Sequence, residues 1–143
     1  MNAKEYLSRA FELDRRITIK VEQLKQLRDL AKKCTSVISD LPKGKAAGSR
    51  LEETVCRIVD YETDLNADID ALVDMKREIE RVISGVPDTM QQLLLQMRYL
   101  NFSSWEDIAE ALCVTYNHVF KIHRDALNFL DENRNWIVED SAG

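Results

Sequence analysis

A chain of 143 residues with four Gly and two Pro has room for one ordinary domain, or for a small domain with a helical arm. So few breakers exclude a turn-rich β fold, and no apolar run approaches the ~20 residues that span a bilayer. The net charge of -5 is unevenly spread: residues 1–50 carry 12 Lys/Arg against 6 Asp/Glu, residues 51–86 carry 4 against 10, and residues 87–143 carry 4 against 9.

The first two segments complement one another. The third is acidic, which weighs against nucleic-acid binding, because phosphate neutralisation supplies much of such affinity. Cys34, Cys56 and Cys113 are widely separated and form no CxxC pair. Neither a zinc site nor a disulfide framework follows, and the usage fits a reducing cytoplasm. The opening MNAKEYLSRAFELDRR lacks the apolar block of a signal peptide.

Residues 2 to about 38 read as one long helix. Ala3, Tyr6, Ala10, Leu13, Ile17, Val21, Leu24, Leu27, Ala31, Cys34 and Ile38 recur in three- and four-residue steps. Leu7, Phe11 and Leu30 widen that stripe. Such a helix would be ~55 Å long and needs a partner to be stable. Residues 39–50 (SDLPKGKAAGSR) read as a basic loop broken by Pro42, Gly44 and Gly48.

A second long helix is expected over residues 51 to about 83. Its seam is Leu51, Val55, Ile58, Glu62, Leu65, Ile69, Leu72, Lys76, Ile79 and Ile83, with Val59, Val73, Met75 and Val82 beside it. Similar lengths, opposite charges and a short connection predict an antiparallel hairpin with its predecessor. A two-helix hairpin rarely buries enough by itself, so its flanking apolar residues point to a further covered surface, either the C-terminal part of the same chain or, as the favoured reading, a second hairpin in a homodimer.

Ser84, Gly85, Val86 and Pro87 end that helix, and Asp88 begins a new first turn. The expected domains are residues 1–86 and 87–143. A third helix follows, with Met90, Leu93, Leu94, Met97 and Leu100 apolar.

Residues 105–122 have the grammar of a helix-turn-helix. Ser103 and Ser104 can cap a helix, with Glu106 and Asp107 at capping-box spacing. The short helix carries Ile108, Ala109 and Leu112 and should stop near Cys113 and Val114. Ala109 suits the close approach, Val114 the apolar plug, and Val119 the anchor of the second helix. The turn usually carries Gly, because positive φ is favoured there; here it is Cys113, expected as a small buried thiol. Thr115 is a second cap, followed by Val119, Ile122, Ala126 and Leu127 on one face. Beyond Leu130, Trp136 with Ile137 is expected to dock back on the body.

Candidate chemistry is sparse. Asp60, Asp64 and Asp68 share one face, and all-α nucleotide hydrolases hold Mg²⁺ with carboxylates on paired helices. They use acids on both helices, whereas the facing helix here is basic, so a salt-bridged face is expected and no metal. His118 and His123 are five apart and point to different faces. No catalytic constellation and no cofactor motif is present in the sequence.

The remaining site-like set is Thr115, Tyr116, Asn117, His118, Phe120, Lys121 and Arg124, which face outward once Val119 and Ile122 face in. Asn can read adenine, Lys and Arg can take phosphate or guanine, and the aromatic rings can meet a thymine methyl. The helix start and the Thr115 hydroxyl can hold a phosphate. Residues 115–124 contain no carboxylate, so the local field is basic.

The string from Leu94 through YL, IAEAL, CV, the 115–119 segment and RDAL resembles region four of sigma-70-type factors. The whole chain is similar to ArpU/RinA-type phage late transcriptional regulators. MNAKEYLSRAFELDRRI, DLNADIDALVDMKREIERVI and RYLNFSSWEDIA carry that likeness. It implies promoter-DNA binding, contact with RNA polymerase, control of late genes and residence in the cytoplasm of a bacterial host cell. By position, it makes Thr115, Asn117, His118, Lys121 and Arg124 the DNA-facing set. The expectation is an all-α protein, a coiled-coil-like antiparallel hairpin followed by a tri-helical helix-turn-helix domain, without enzymatic activity. Its rivals are a terminase small-subunit-like packaging protein that forms rings, an adaptor that no longer binds DNA, and a metal-dependent nucleotide hydrolase.

Overall fold

The computed structural model describes residues 1–40 and 45–136. The fold is all-α. Its helices are α1 (Ala3–Asp40), α2 (Lys45–Ser84), α3 (Thr89–Tyr99), α4 (Trp105–Leu112) and α5 (Tyr116–Glu132), with a 3-10 turn at Arg134–Trp136. Among the described residues, no helix is long and apolar enough to cross a membrane. Packing divides the chain into two compact units, one of Leu13–Leu72 and one of Met1–Glu12 with the chain from Val73 onward. This division by packing runs through α1 and α2, whereas a division at residue 86 follows helix order.

Within the Leu13–Leu72 unit, Lys20 Nζ meets Asp68 Oδ2 at 2.5 Å and Arg28 Nη2 meets Glu62 Oε1 at 2.6 Å. Numbers rise on one helix as they fall on the other, so the two segments run antiparallel. Leu13, Leu24 and Leu65 are buried, and Ile17, Leu27, Ile58, Tyr61 and Leu72 are half-buried between them. The α2 seam differs from the one expected. Val55 and Ile69 are 46% and 41% exposed, while Thr54 is buried and Asp68 half-buried. Two heptad rows cross α2 and share Ile58, Leu65 and Leu72. The row carrying Asp68 turns toward α1, where Lys20 meets it, and Glu62 of the expected row reaches Arg28 of α1 from beside it. Thr54 is accommodated because its hydroxyl donates to the Arg50 carbonyl at 2.9 Å. Val21, expected in the α1 stripe, is 49% exposed.

The expected loop over residues 39–50 is too long. α1 reaches Asp40 and α2 already begins at Lys45. Ala46 and Ala47 favour helix, and one Gly costs only ~1 kcal/mol, which a 40-residue helix absorbs. Pro42 and Gly44 lie outside the described residues.

The other unit is built around Leu7, Ile79, Ile83, Val86, Leu94, Leu95, Ile108 and Val119, all fully buried. Asp88 caps α3, accepting from the Gln91 amide at 3.0 Å. The face that α3 buries is Leu94, Leu95 and Tyr99. Met90 and Leu93, expected in its apolar stripe, are 38% and 43% exposed. The helix is turned toward Leu95 and Tyr99, because the Tyr99 hydroxyl has a partner on α5.

Trp136 is buried, with its ring 4.7 Å from that of Tyr6 and its indole N–H donating to the Leu130 carbonyl at 2.6 Å. Ile137 lies outside the described residues. The first turn of α1 is held to the same place, since the Ala3 amide donates to Asp131 Oδ1 at 2.8 Å. That carboxylate satisfies one of the donors a helix start leaves without a partner.

Candidate nucleic-acid interface

The candidate face is built by two caps and a turn. Ser104 Oγ accepts from the Asp107 amide at 3.1 Å and starts α4. Glu106 and Asp107 in the first turn suit the positive end of the helix dipole. α4 stops at Cys113, which is left-handed with φ 57° and ψ 42°. The Cys113 and Val114 amides then close back onto the carbonyls of Glu110 and Ala109 at 3.2 and 3.1 Å. The Cys113 thiol is exposed, contrary to the buried thiol expected. The turn needs this backbone conformation, not a packed side chain; Ala109 is buried and Val114 half-buried instead. Thr115 Oγ1 accepts from the His118 amide at 3.2 Å and starts α5.

Val119, Ile122, Ala126 and Leu130 form the buried stripe of α5. Thr115, Tyr116, Asn117, His118, Phe120, Lys121 and Arg124 are all exposed. They form more than one row. Asn117, Lys121 and Arg124 follow at steps of four and three and share one line along the helix. Tyr116 and Phe120 form a second line, with ring centroids 5.0 Å apart. His118 lies on the other side of the Asn117 line. The seven therefore offer a polar row flanked by an aromatic pair.

The two charged side chains of this row are both cations. Residues 115–124 carry Lys121 and Arg124 and no carboxylate, and the start of α5 adds the partial charge of its unpaired amides. The Thr115 oxygen is engaged as a cap, so its hydroxyl hydrogen is what it offers a phosphate.

Sequence reasoning missed the support beneath this face. Phe120 rests 5.1 Å from the Trp105 ring, and the Arg98 guanidinium lies 4.3 Å from the centre of that ring. Arg98 also donates to the Ser103 carbonyl at 2.9 Å. His123 meets Trp105 edge-on at 4.8 Å and stacks on Tyr99. Burial, with the charges of Lys4 and Arg98 adding to it, pushes the His123 pKa down to about 4. Burial likewise pushes the Tyr99 phenol up to about 12. The ring is therefore neutral at pH 7 and positions α5 against α3. A Tyr and a His 24 residues apart share no local pattern that would have announced the pair.

On α2, Asp68 is paired with Lys20 and Glu62 with Arg28, while Asp60 and Asp64 are exposed. Among the described residues, no group of His, Cys, Asp or Glu is arranged to hold a metal ion.

Residues 45–131 match the profile of a family described as "Protein of unknown function (DUF1492)". The chain belongs to this DUF1492 family. The match runs from the start of α2 almost to the end of α5, so the candidate face lies wholly inside the DUF1492 region and α1 outside it. No curated protein and no solved structure matches the chain.

Proposed function

We propose that this DUF1492 protein binds double-stranded DNA through the outer face of α5, as a phage-type regulator of late transcription. The observation that supports it is the exposed row Asn117, Lys121, Arg124 on a carboxylate-free helix start, with Val119 and Ile122 anchoring the opposite side. A helix so presented fits the major groove; Lys121 and Arg124 serve phosphate or guanine, and Asn117 an adenine edge. With only two cations on the row, affinity for DNA alone is modest. Contact with RNA polymerase and a homodimer through the long helices complete the proposal, because tethering raises the effective concentration of a weak reader.

The test is fluorescence anisotropy on duplexes selected from a random pool, at several salt concentrations. Lys121→Ala with Arg124→Ala should weaken binding and flatten the salt dependence by about two counterions. Absence of binding at low salt, or binding indifferent to both substitutions, sinks the proposal.

One rival has its own support. The acidic balance of residues 87–143, together with exposed Met90 and Leu93 on α3, suits an adaptor that contacts protein instead of DNA. It gains if the duplex titration is silent and the Met90→Lys, Leu93→Lys variant loses a protein partner.

A further inference from the structure

α2 carries a second apolar row beside the one it turns to α1. Val55, Val59, Ile69 and Val73 are 46%, 54%, 41% and 47% exposed. With Glu62 and Asn66 between them, the six positions advance by four, three, four, three and four residues. That is the spacing of a helix–helix seam, and it runs for ~27 Å along α2. Scattered exposed apolar residues need no explanation; four on one line at seam spacing do.

The row is also its own mirror image. Counted from Asp64, Val55 mirrors Val73, Val59 mirrors Ile69, and Glu62 mirrors Asn66. A two-fold contact requires this property, because each residue must meet its counterpart twice. Two copies of α2 laid antiparallel about Asp64 would place every valine or isoleucine of the row against another. The two central layers would each bring Glu62 of one copy, already paired with Arg28, beside the Asn66 amide of the other.

Charge points the same way. Glu52 and Arg77 lie just beyond the two ends of the row, on its outer side, and both are exposed. In the mirrored register, Glu52 of one copy comes beside Arg77 of the other, at both ends. The groove next to the row is lined from α1 by Val21, Leu24, Lys25, Arg28, Asp29 and Lys32, with Arg28 paired to Glu62.

We infer that the Val55–Val73 row of α2 is the contact between two copies of this chain, paired antiparallel about Asp64. This rests on the homodimer in the proposed function and gives it a face and a register; it does not depend on DNA binding.

The experiment is sedimentation equilibrium of the full chain under reducing conditions, with circular dichroism on each variant. The native chain should be a dimer at micromolar concentration. Val59→Glu with Ile69→Glu should make it monomeric with its helicity kept, since both side chains are exposed in the single chain. Glu52→Arg alone should weaken the dimer roughly tenfold, and adding Arg77→Glu should restore it. A monomeric native chain, or a dimer indifferent to the Val59 and Ile69 changes, overturns the inference. A swap without rescue overturns the register. Lys121→Ala with Arg124→Ala should leave the mass unchanged, so a failure of DNA binding and a failure of pairing are read separately.

Discussion

The Tyr99 hydroxyl lies 2.6 Å from His123 Nε2 and joins α3 to α5 at the base of the candidate face. A neutral ring accepts from the phenol through Nε2 or donates to it, according to its tautomer. Protonation leaves both ring nitrogens as donors and places a charge in a half-buried site already facing Lys4 and Arg98.

Acid should therefore loosen this unit. The folded-state pKa of His123 is about 4, below its ordinary 6.5, so its contribution is fully present above pH 6.5. It is lost progressively as pH falls from 6.5 toward about 4, the window in which the unfolded chain takes up the proton ahead of the folded one. The two values alone would give ~3 kcal/mol, and solvent reaching the half-buried ring trims this to ~2 kcal/mol. Urea melts at pH 7 and pH 4.5 should show the loss, and His123→Gln should reduce it. An unchanged pH slope in the variant would mean that other groups carry it.

Cys113 holds φ at 57° with its side chain exposed. Gly adopts that backbone without steric cost, and nothing packed is removed with the thiol. Cys113→Gly should stabilise the protein by ~1 kcal/mol in chemical denaturation, whereas β-branched Cys113→Val should destabilise it by a similar amount. Equal stability of the two variants would count against the left-handed turn.

The turn was legible in the sequence because caps and left-handed positions leave local marks: Asp88, Ser104 and Thr115 each stand where a helix begins. The all-α fold was legible for the same reason, since periodicity is a property of neighbours. The choice between two rows of α2 was not. Both satisfy the same spacing, and Asp68 wins over Ile69 through a cation 48 residues away. The outward set on α5 followed from knowing which residues point in. Its underlay of Arg98, Trp105 and His123 depends on three segments meeting, which no single stretch encodes. Met90 and Leu93 failed because hydrophobicity marks what can be buried, not what is.

The Lys20–Asp68 pair sits in the seam, with side chains only 25% and 22% exposed. Asp68→Ala leaves a half-buried ammonium without its partner and should cost ~2 kcal/mol. The double change Lys20→Met with Asp68→Leu should return stability to within ~1 kcal/mol of the native chain or exceed it. If the double variant is as weak as the single one, the pair is a true stabiliser and not a device of register. Thermal melts of the three chains decide it.

Trp136 fills the space beside Tyr6 and ties its indole to Leu130. Trp136→Ala should cost ~3 kcal/mol, with Trp136→Phe intermediate because only the hydrogen bond and part of the area are lost. A silent Trp136→Ala would show that the side chain is not part of the core.

The amide of Ala3 and the carboxylate of Asp131 are 128 positions apart. A ribosome releases the chain in order, so the first turns of α1 are made long before the helix that covers them. Ala3 and Tyr6, buried in the finished protein, must wait for Asp131 and Trp136 before these contacts can form. The 13–72 segment needs no such wait, since the partners of its ion pairs are all made by then. Synthesis therefore sets the order of events: the middle of the chain closes first, and the two ends of the described structure close together and last.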